Sequence, residues 1–290
     1  MRLATLRTST STSRSTSSST VAARQDGEKY TVIPGYSDVG ELLANPEWKA
    51  IAAAASGPSL DGADLASVVT KPGKIICVGL NYRTHIQEMG RDLPEFPTLF
   101  SKYAETLIGP NDDIELPEQD DAIDWEAELA VIIGKSGRHI AEQDAAAHIA
   151  GYSICNDVSM RTWQFRTKEW LQGKNWENST PLGPVLVTTD EWTPGGTIST
   201  RVDNELMQEA STGDLVHGPE CLVSYISTMI TLNPGDVIIT GTPGGVGHAR
   251  QPQRYLSHGQ VLETSIEGIG TLRNRAVAAS AFPTAALPTA

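Results

Sequence analysis

The chain has 290 residues, a formal net charge of −13, 39% hydrophobic residues and 20% charged ones. That acidity argues against nucleic acid and anionic membrane surfaces as partners, since both are polyanions. No apolar run approaches the roughly 20 residues of a membrane-spanning helix, and Cys77, Cys155 and Cys221 are too widely spaced for a zinc pattern or a disulfide framework.

The first 25 residues hold several arginines, a dense Ser/Thr run and no acid. Such a composition resembles an organelle transit peptide. The alternative, preferred because apolar alternation begins at once, is a first strand over Arg2 to Arg7. A Ser/Thr-rich loop over 9–20 would follow, with structure resuming near Tyr30 to Ile33. A helix is predicted from Val39 through Ala55, stopped at Gly57-Pro58. Residues 1–70 read as a small N-terminal domain. Lys71-Pro72-Gly73 then punctuates the chain, and 71–279 reads as the main domain. Its predicted strands are Lys74 to Gly79, Thr98 to Phe100, Leu129 to Ile133, Ala150 to Asn156, Gly183 to Thr188, Thr197 to Val202, Asp236 to Thr240, Gln260 to Ile266 and Gly270 to Ala278. Helices are predicted over Glu142 to Ile149 and Pro219 to Thr231, and 280–290 reads as a mobile tail rich in Ala, Thr and Pro. The class is mixed α/β, dominated by strands. With no disulfide framework, a reducing cytoplasm is the expected compartment.

Four segments carry possible chemistry. After the strand ending at Gly79 comes Asn81-Tyr82-Arg83-Thr84-His85-Ile86-Gln87-Glu88. His85 and Glu88 are spaced i, i+3 and share a side of one helical turn. A carboxylate that orients an imidazole makes a general base, although an ordinary surface ion pair has the same spacing.

The second segment is Asp124-Trp125-Glu126-Ala127-Glu128-Leu129, which leads into a β-branched run. On a strand Asp124, Glu126 and Glu128 share a face, with Glu126 and Glu128 roughly 7 Å apart. Acids crowded on a half-buried face are costly unless water or a cation neutralises them. All-oxygen ligands suit Mg²⁺, Mn²⁺ or Ca²⁺; a solvated edge strand is the alternative.

In the third, Asn156-Asp157 follows an apolar strand, so Asp157 is a possible third ligand or simply a helix N-cap. Arg161 and Gln164, one turn on, are candidate substrate binders. Lys174 falls in a predicted loop, placed either to meet a substrate carboxylate or oxyanion or merely to be solvated.

The fourth runs through Thr240-Gly241-Thr242-Pro243-Gly244-Gly245. It lacks the Gly-Lys-Ser/Thr of a phosphate loop, so a pocket wall with Thr242 facing a substrate carboxylate is the reading.

These segments together resemble the fumarylacetoacetate hydrolase family. The matching pieces are Ile76 to Tyr82, Asp124 to Leu129, Asn156 to Ser159, Pro181 to Pro184, Thr240 to Pro243 and Ile266 to Gly270, within roughly residues 70 to 278. The resemblance implies a mixed β-sandwich roll, a homodimer, and Mg²⁺ or Mn²⁺ (Ca²⁺ as a substitute) held by Glu126, Glu128 and Asp157. It implies His85 and Glu88 as a catalytic lid dyad with Lys174, and Arg161, Gln164 and Thr242 as substrate contacts. Thr84 stands near where some of the hydrolases carry a further metal-binding Asp. His217 stands where an apolar or aromatic residue is expected. The implied activity is metal-dependent C–C hydrolysis of a small anionic 2,4-dioxo acid to pyruvate or a related enolate. Oxaloacetate-type decarboxylation and 2-oxo-enoate hydration or isomerisation are alternatives on the same ligands. A metal-binding protein without turnover is a further one.

Overall fold

The computed structural model describes residues 1–8, 19–88, 90 and 92–279, and of Glu88 only the backbone. Most of the Ser/Thr-rich loop and the whole 280–290 tail therefore lie outside the described residues.

The strands in chain order are β1 (Arg2–Arg7), β2 (Thr20–Asp26), β3 (Lys29–Val32), β4 (Ser59–Asp61), β5 (Ile75–Gly79), β6 (Thr98–Lys102), β7 (Leu107–Ile108), β8 (Ile114–Leu116), β9 (Ile123–Asp124), β10 (Ala127–Ile133), β11 (Ile149–Asn156), β12 (Ser159–Met160), β13 (Thr180–Thr188), β14 (Thr197–Val202), β15 (Glu205–Ser211), β16 (Val237–Ile239), β17 (Val261–Ile266) and β18 (Gly270–Ala278). The helices are short: α1 (Val39–Leu43), α2 (Trp48–Ala53), α3 (Arg83–Glu88), α4 (Glu142–Ala145), α5 (Arg161–Gln164), α6 (Leu171–Lys174) and α7 (Pro219–Met229).

The large sheet runs β4-β3-β2-β1-β13-β11-β10-β16-β5-β6, with β7 added beside β13. A second sheet, β15-β14-β17-β18-β8, packs against it, and β9 pairs with β12 near the site. This is a mixed β-sandwich roll. Strands β10 and β11 lie at its centre because both are buried along their whole length, which only a strand covered on both faces can tolerate. Alternation decides which cover each residue meets. Leu129, Val131 and Ile133 join a core with Leu222, Val223 and Ile226 of α7. Ala130 and Ile132 join another with Val39, Leu42 and Leu186. Glu128 has the parity of Ala130 and lies opposite Cys155 in the β10–β11 register. The site thus forms where an apolar sheet face turns acidic at one end.

Several expectations change. Arg2–Arg7 is a strand as read, but structure resumes earlier than expected, at β2, and β1 pairs with both β2 and β13. The single helix over Val39 to Ala55 is two: Pro46 disfavours helical backbone at Asn45 before it, and α1 ends at Leu43. Glu142 to Ile149 is a four-residue helix followed by a 3₁₀ turn over Ala146–His148, and Ile149 already belongs to β11. Lys174 is not in a loop but ends α6, almost fully buried.

Candidate active site

Glu126, Glu128 and Asp157 each offer a carboxylate oxygen within 4.8 Å of the others, and all three are buried. They converge because β10 and β11 are paired neighbours. The Asp157 N–H donates to the Glu126 carbonyl oxygen at 2.9 Å, and Asn156 Oδ1 accepts from the Glu126 N–H at 2.9 Å. Asp124 does not join them. The strand breaks between β9 and β10, and its carboxylate accepts from Arg161 Nε (2.9 Å) and Nη2 (2.7 Å) and from the N–H groups of Gly247 (2.7 Å) and His248 (2.9 Å). Asp124 therefore ties the glycine-rich turn to α5.

The cations meet the acids at close range. Lys174 Nζ lies 2.7 Å from Glu126 Oε2 and 2.8 Å from Asp157 Oδ2. Lys102 Nζ lies 2.8 Å from Asp157 Oδ1 and donates to the Lys174 carbonyl oxygen. Arg161 Nη1 reaches Glu126 Oε1 at 2.7 Å and donates to Gln164 Oε1 at 2.8 Å. Four carboxylates thus face three cations, and Glu128 alone lacks a cationic contact among the described residues. Its one donor among the described residues is the Gly241 N–H. Burial, then the charges of Asp157 and Glu126, push the Glu128 carboxyl well above the usual range. At Asp157 burial acts in the same sense, but Lys102 and Lys174 overcome it and hold that carboxyl low. Lys174 is desolvated too, yet Asp157 and Glu126 keep its ammonium charged far above neutrality.

This donor set fits a divalent cation. Oxygen ligands converge, one carboxylate is uncompensated, and a hard cation would remove the cost of burying it. Cys77 and Cys155 lie close by, but burial followed by the charge of Asp157 raises both thiols, so neither is a ready thiolate.

A cavity of about 400 Å³ lies along the turn that follows Gly241, and its wall includes Tyr82, Thr84, His85, Glu209, Asp214 and Pro243 to Gly245. His85 sits on α3, whose first turn is held by the Asp214 carboxylate accepting from the Thr84 N–H at 3.0 Å. The side chain of Glu88 lies outside the described residues, and with it the expected dyad. The Thr242 hydroxyl accepts from Gln208 Nε2 at 2.8 Å, and that side chain also donates to the Pro243 carbonyl oxygen at 3.0 Å. Arg161 and Gln164 are hydrogen-bonded to each other, and Arg161 commits most of its donors to Asp124, Glu126 and Gln164. His217 leads into α7, and its backbone is clamped by Asn81, which accepts from His217 N–H at 2.9 Å and donates to its carbonyl oxygen at 3.0 Å.

Lys102 was absent from the sequence-based candidates. Alternation along β6 places Phe100 and Lys102 on one side, so a lysine on an inward face was the available signal. Gln208 was hidden because β15 was not foreseen.

Glycine sets how α6 reaches the acids. A Cβ on Gly173 would lie 2.4–2.6 Å from the Gln164 backbone and Cβ. Gly173→Ala is expected to push α6 off α5, costing about 1–3 kcal/mol as overpacking does and withdrawing Lys174. Urea denaturation checks the first effect and turnover the second; wild-type values for both would contradict the close packing.

A mixed β-roll carrying buried, convergent carboxylates defines a class of enzyme that handles small acids. The fumarylacetoacetate hydrolase C-terminal family model matches residues 74–277, and the chain belongs to that family. The human mitochondrial oxaloacetate tautomerase FAHD2A is 44% identical over 213 residues, 72% of this chain and 68% of that protein. Among solved structures, a fumarylacetoacetate hydrolase from Exiguobacterium antarcticum is similar with TM-score 0.84 and 32% identity, over 96% of this chain and 99% of that one. Maleylpyruvate hydrolase from Sphingobium sp. SYK-6 follows the same fold with TM-score 0.77 and 26% identity, over 96% and 100%. No helix among the described residues is long and apolar enough to cross a membrane.

Proposed function

We propose that this chain interconverts the keto and enol forms of a small anionic 2-oxo acid of the oxaloacetate type, with 71–279 as the catalytic domain. The observation that carries it is the buried cluster of Glu126, Glu128 and Asp157 with Lys174 and Lys102 pressed against it. With a divalent cation offsetting the uncompensated carboxylate, such a site would favour a substrate oxygen that gains negative charge, as a 2-oxo group does on enolisation. The 44% likeness to an oxaloacetate tautomerase supports the same reading.

Mg²⁺ or Mn²⁺ (Ca²⁺ as a substitute) held by Glu126, Glu128 and Asp157 would supply Lewis-acid polarisation of the 2-oxo carbonyl. The remaining work falls to the chain. In the keto-to-enol direction a proton leaves C3 and one arrives on the carbonyl oxygen, so substrate and product are isomers. His85, on the cavity wall, carries the proton from C3, with Glu88 orienting its imidazole. Lys174 stays charged and stabilises the enolate rather than acting as a base. Arg161, Gln164 and Thr242 position the carboxylates of the substrate. A homodimer in a reducing compartment, cytoplasm or mitochondrial matrix, completes the proposal, and suits the three free cysteines.

A second reading is C–C hydrolysis of an acylpyruvate. It is favoured by the same His85, which in that case deprotonates an attacking water, and by the likeness to maleylpyruvate hydrolase. The test follows three signals with Mg²⁺ or Mn²⁺ and then with chelator: enol absorbance of oxaloacetate, pyruvate from oxaloacetate, and pyruvate from acetylpyruvate and fumarylpyruvate. Chelator-sensitive loss of enol faster than pyruvate forms is the expected result. Faster release of pyruvate from an acylpyruvate would replace it with the hydrolase, and from oxaloacetate with the decarboxylase.

A further inference from the structure

Tyr82 is fixed more firmly than a cavity-wall residue needs to be. Its backbone forms an antiparallel bridge with Leu215, and its neighbours are clamped on both sides: Asn81 carbonyl oxygen accepts from Val216 N–H at 2.8 Å, and Asp214 carbonyl oxygen accepts from Arg83 N–H at 3.0 Å. Its own carbonyl oxygen accepts from Ile86 N–H at 3.0 Å and so opens α3. The side chain is 1% exposed and packs in the core with Val78 and Leu129, yet it also lines the cavity. At its tip the hydroxyl is buried without a hydrogen-bond partner among the described residues.

A buried hydroxyl with no partner carries the full cost of its desolvation. Phenylalanine would fill the same space without that cost, so a hydroxyl here makes sense when something else occupies the cavity. Burial, then the charges of the Glu128 and Asp214 carboxylates, raise the ionisation of the phenol far above neutrality. Tyr82 is therefore a donor at physiological pH, never a phenolate base. Neither carboxylate takes that proton, which leaves the O–H for an acceptor that enters the cavity.

We propose that the Tyr82 hydroxyl is a catalytic hydrogen-bond donor to an oxygen of the bound 2-oxo acid, engaging its enolate form more strongly than its keto form. This rests on the enolisation reading above. A donor fixed by the core before substrate arrives needs no reorganisation as charge builds on that oxygen. The gain falls on the enolate because hydrogen bonds to charged acceptors are about twice as strong as those to neutral ones.

The test compares the full-length wild type with Tyr82→Phe, using oxalate as a planar dianion that mimics an enolate. Oxalate affinity in Mg²⁺, measured by calorimetry, is expected to fall about tenfold. The kcat for oxaloacetate is expected to fall about ten- to a hundredfold, with KM changed less than about threefold. Metal-free Tm should stay the same or rise, because the variant loses an unpaired buried hydroxyl. Unchanged oxalate affinity and kcat would overturn the proposal. A lower Tm with wild-type kinetics would do so too, since the hydroxyl would then be structural. A wild type that fails to bind oxalate would also overturn it. If the wild type binds oxalate without turning over oxaloacetate, loss of binding in the variant keeps the donor role and removes only the reaction assigned above.

Discussion

Glu128→Gln is expected to abolish metal-induced stabilisation while leaving the metal-free protein as stable as the wild type, or more so. The carboxylate is buried, faces Asp157 and Glu126, and has no cationic contact among the described residues, so it is the group that a divalent cation would relieve most. An amide keeps the shape, still accepts from Gly241 N–H, and removes the charge. The sign of the pH dependence follows from the raised carboxyl. Folded-state destabilisation by Glu128 is absent below its unfolded value of about 4.3 and grows as pH rises above it, because the unfolded chain ionises more easily. In chelator, the Tm advantage of the variant over wild type should therefore widen from pH 5 to pH 8. In excess Mg²⁺ or Mn²⁺ the order should invert, since only the wild type gains from binding. Turnover should fall at least about a thousandfold, the scale expected when a metal site is lost. Equal Tm increments from metal in both proteins would refute Glu128 as a ligand.

The sequence carried the acids more clearly than the cations. Glu126 and Glu128 were readable because alternation and the β-branched run after them fix a strand and its faces, and Asp157 followed from the apolar strand before it. Alternation puts Lys102 on the side of Phe100, but that this side meets the acids depends on β6 lying beside β5, a long-range pairing that no local pattern encodes. The burial of Lys174 was equally invisible. Four residues of helix and one glycine packed on Gln164 are too little signal for a periodicity argument, and a lysine near Gln and Asn reads locally as solvent-facing. Asp124 was grouped with the other acids on parity alone. The break after β9 redirects it to Arg161 and the Gly247–His248 N–H groups, a role set by the turn it meets in space. Strands away from the site show the same limit. Arg2–Arg7, Thr197–Val202 and Gly270–Ala278 were legible from alternation, whereas β15, with Glu205 and Leu206 both exposed, offered none at its start.

Lys174→Met should be the most damaging single change in the site. The ammonium bridges Glu126 and Asp157 at 2.7 and 2.8 Å while 2% exposed, and methionine retains much of the stem volume without the charge. Four carboxylates would then face two cations. Breaking a buried ion pair by removing one partner costs about 3–5 kcal/mol, because the charge left behind stays desolvated. Lys102 limits that cost at Asp157 but does not reach Glu126, whose remaining cation is Arg161. The metal-free variant should therefore melt well below wild type, and the Tm increment on adding Mg²⁺ or Mn²⁺ should exceed that of wild type, since the same cation now offsets a larger excess of negative charge. Turnover should remain at least about a thousandfold down even when metal restores stability. That split separates a catalytic ammonium from a purely structural one. Lys174→Arg should recover neither property, because a planar guanidinium cannot replace a compact ammonium between two carboxylates beside Phe100. A Lys174→Met protein that regains wild-type kcat with saturating metal would show that the cation alone carries the enolate, with the lysine serving only to hold the empty site together.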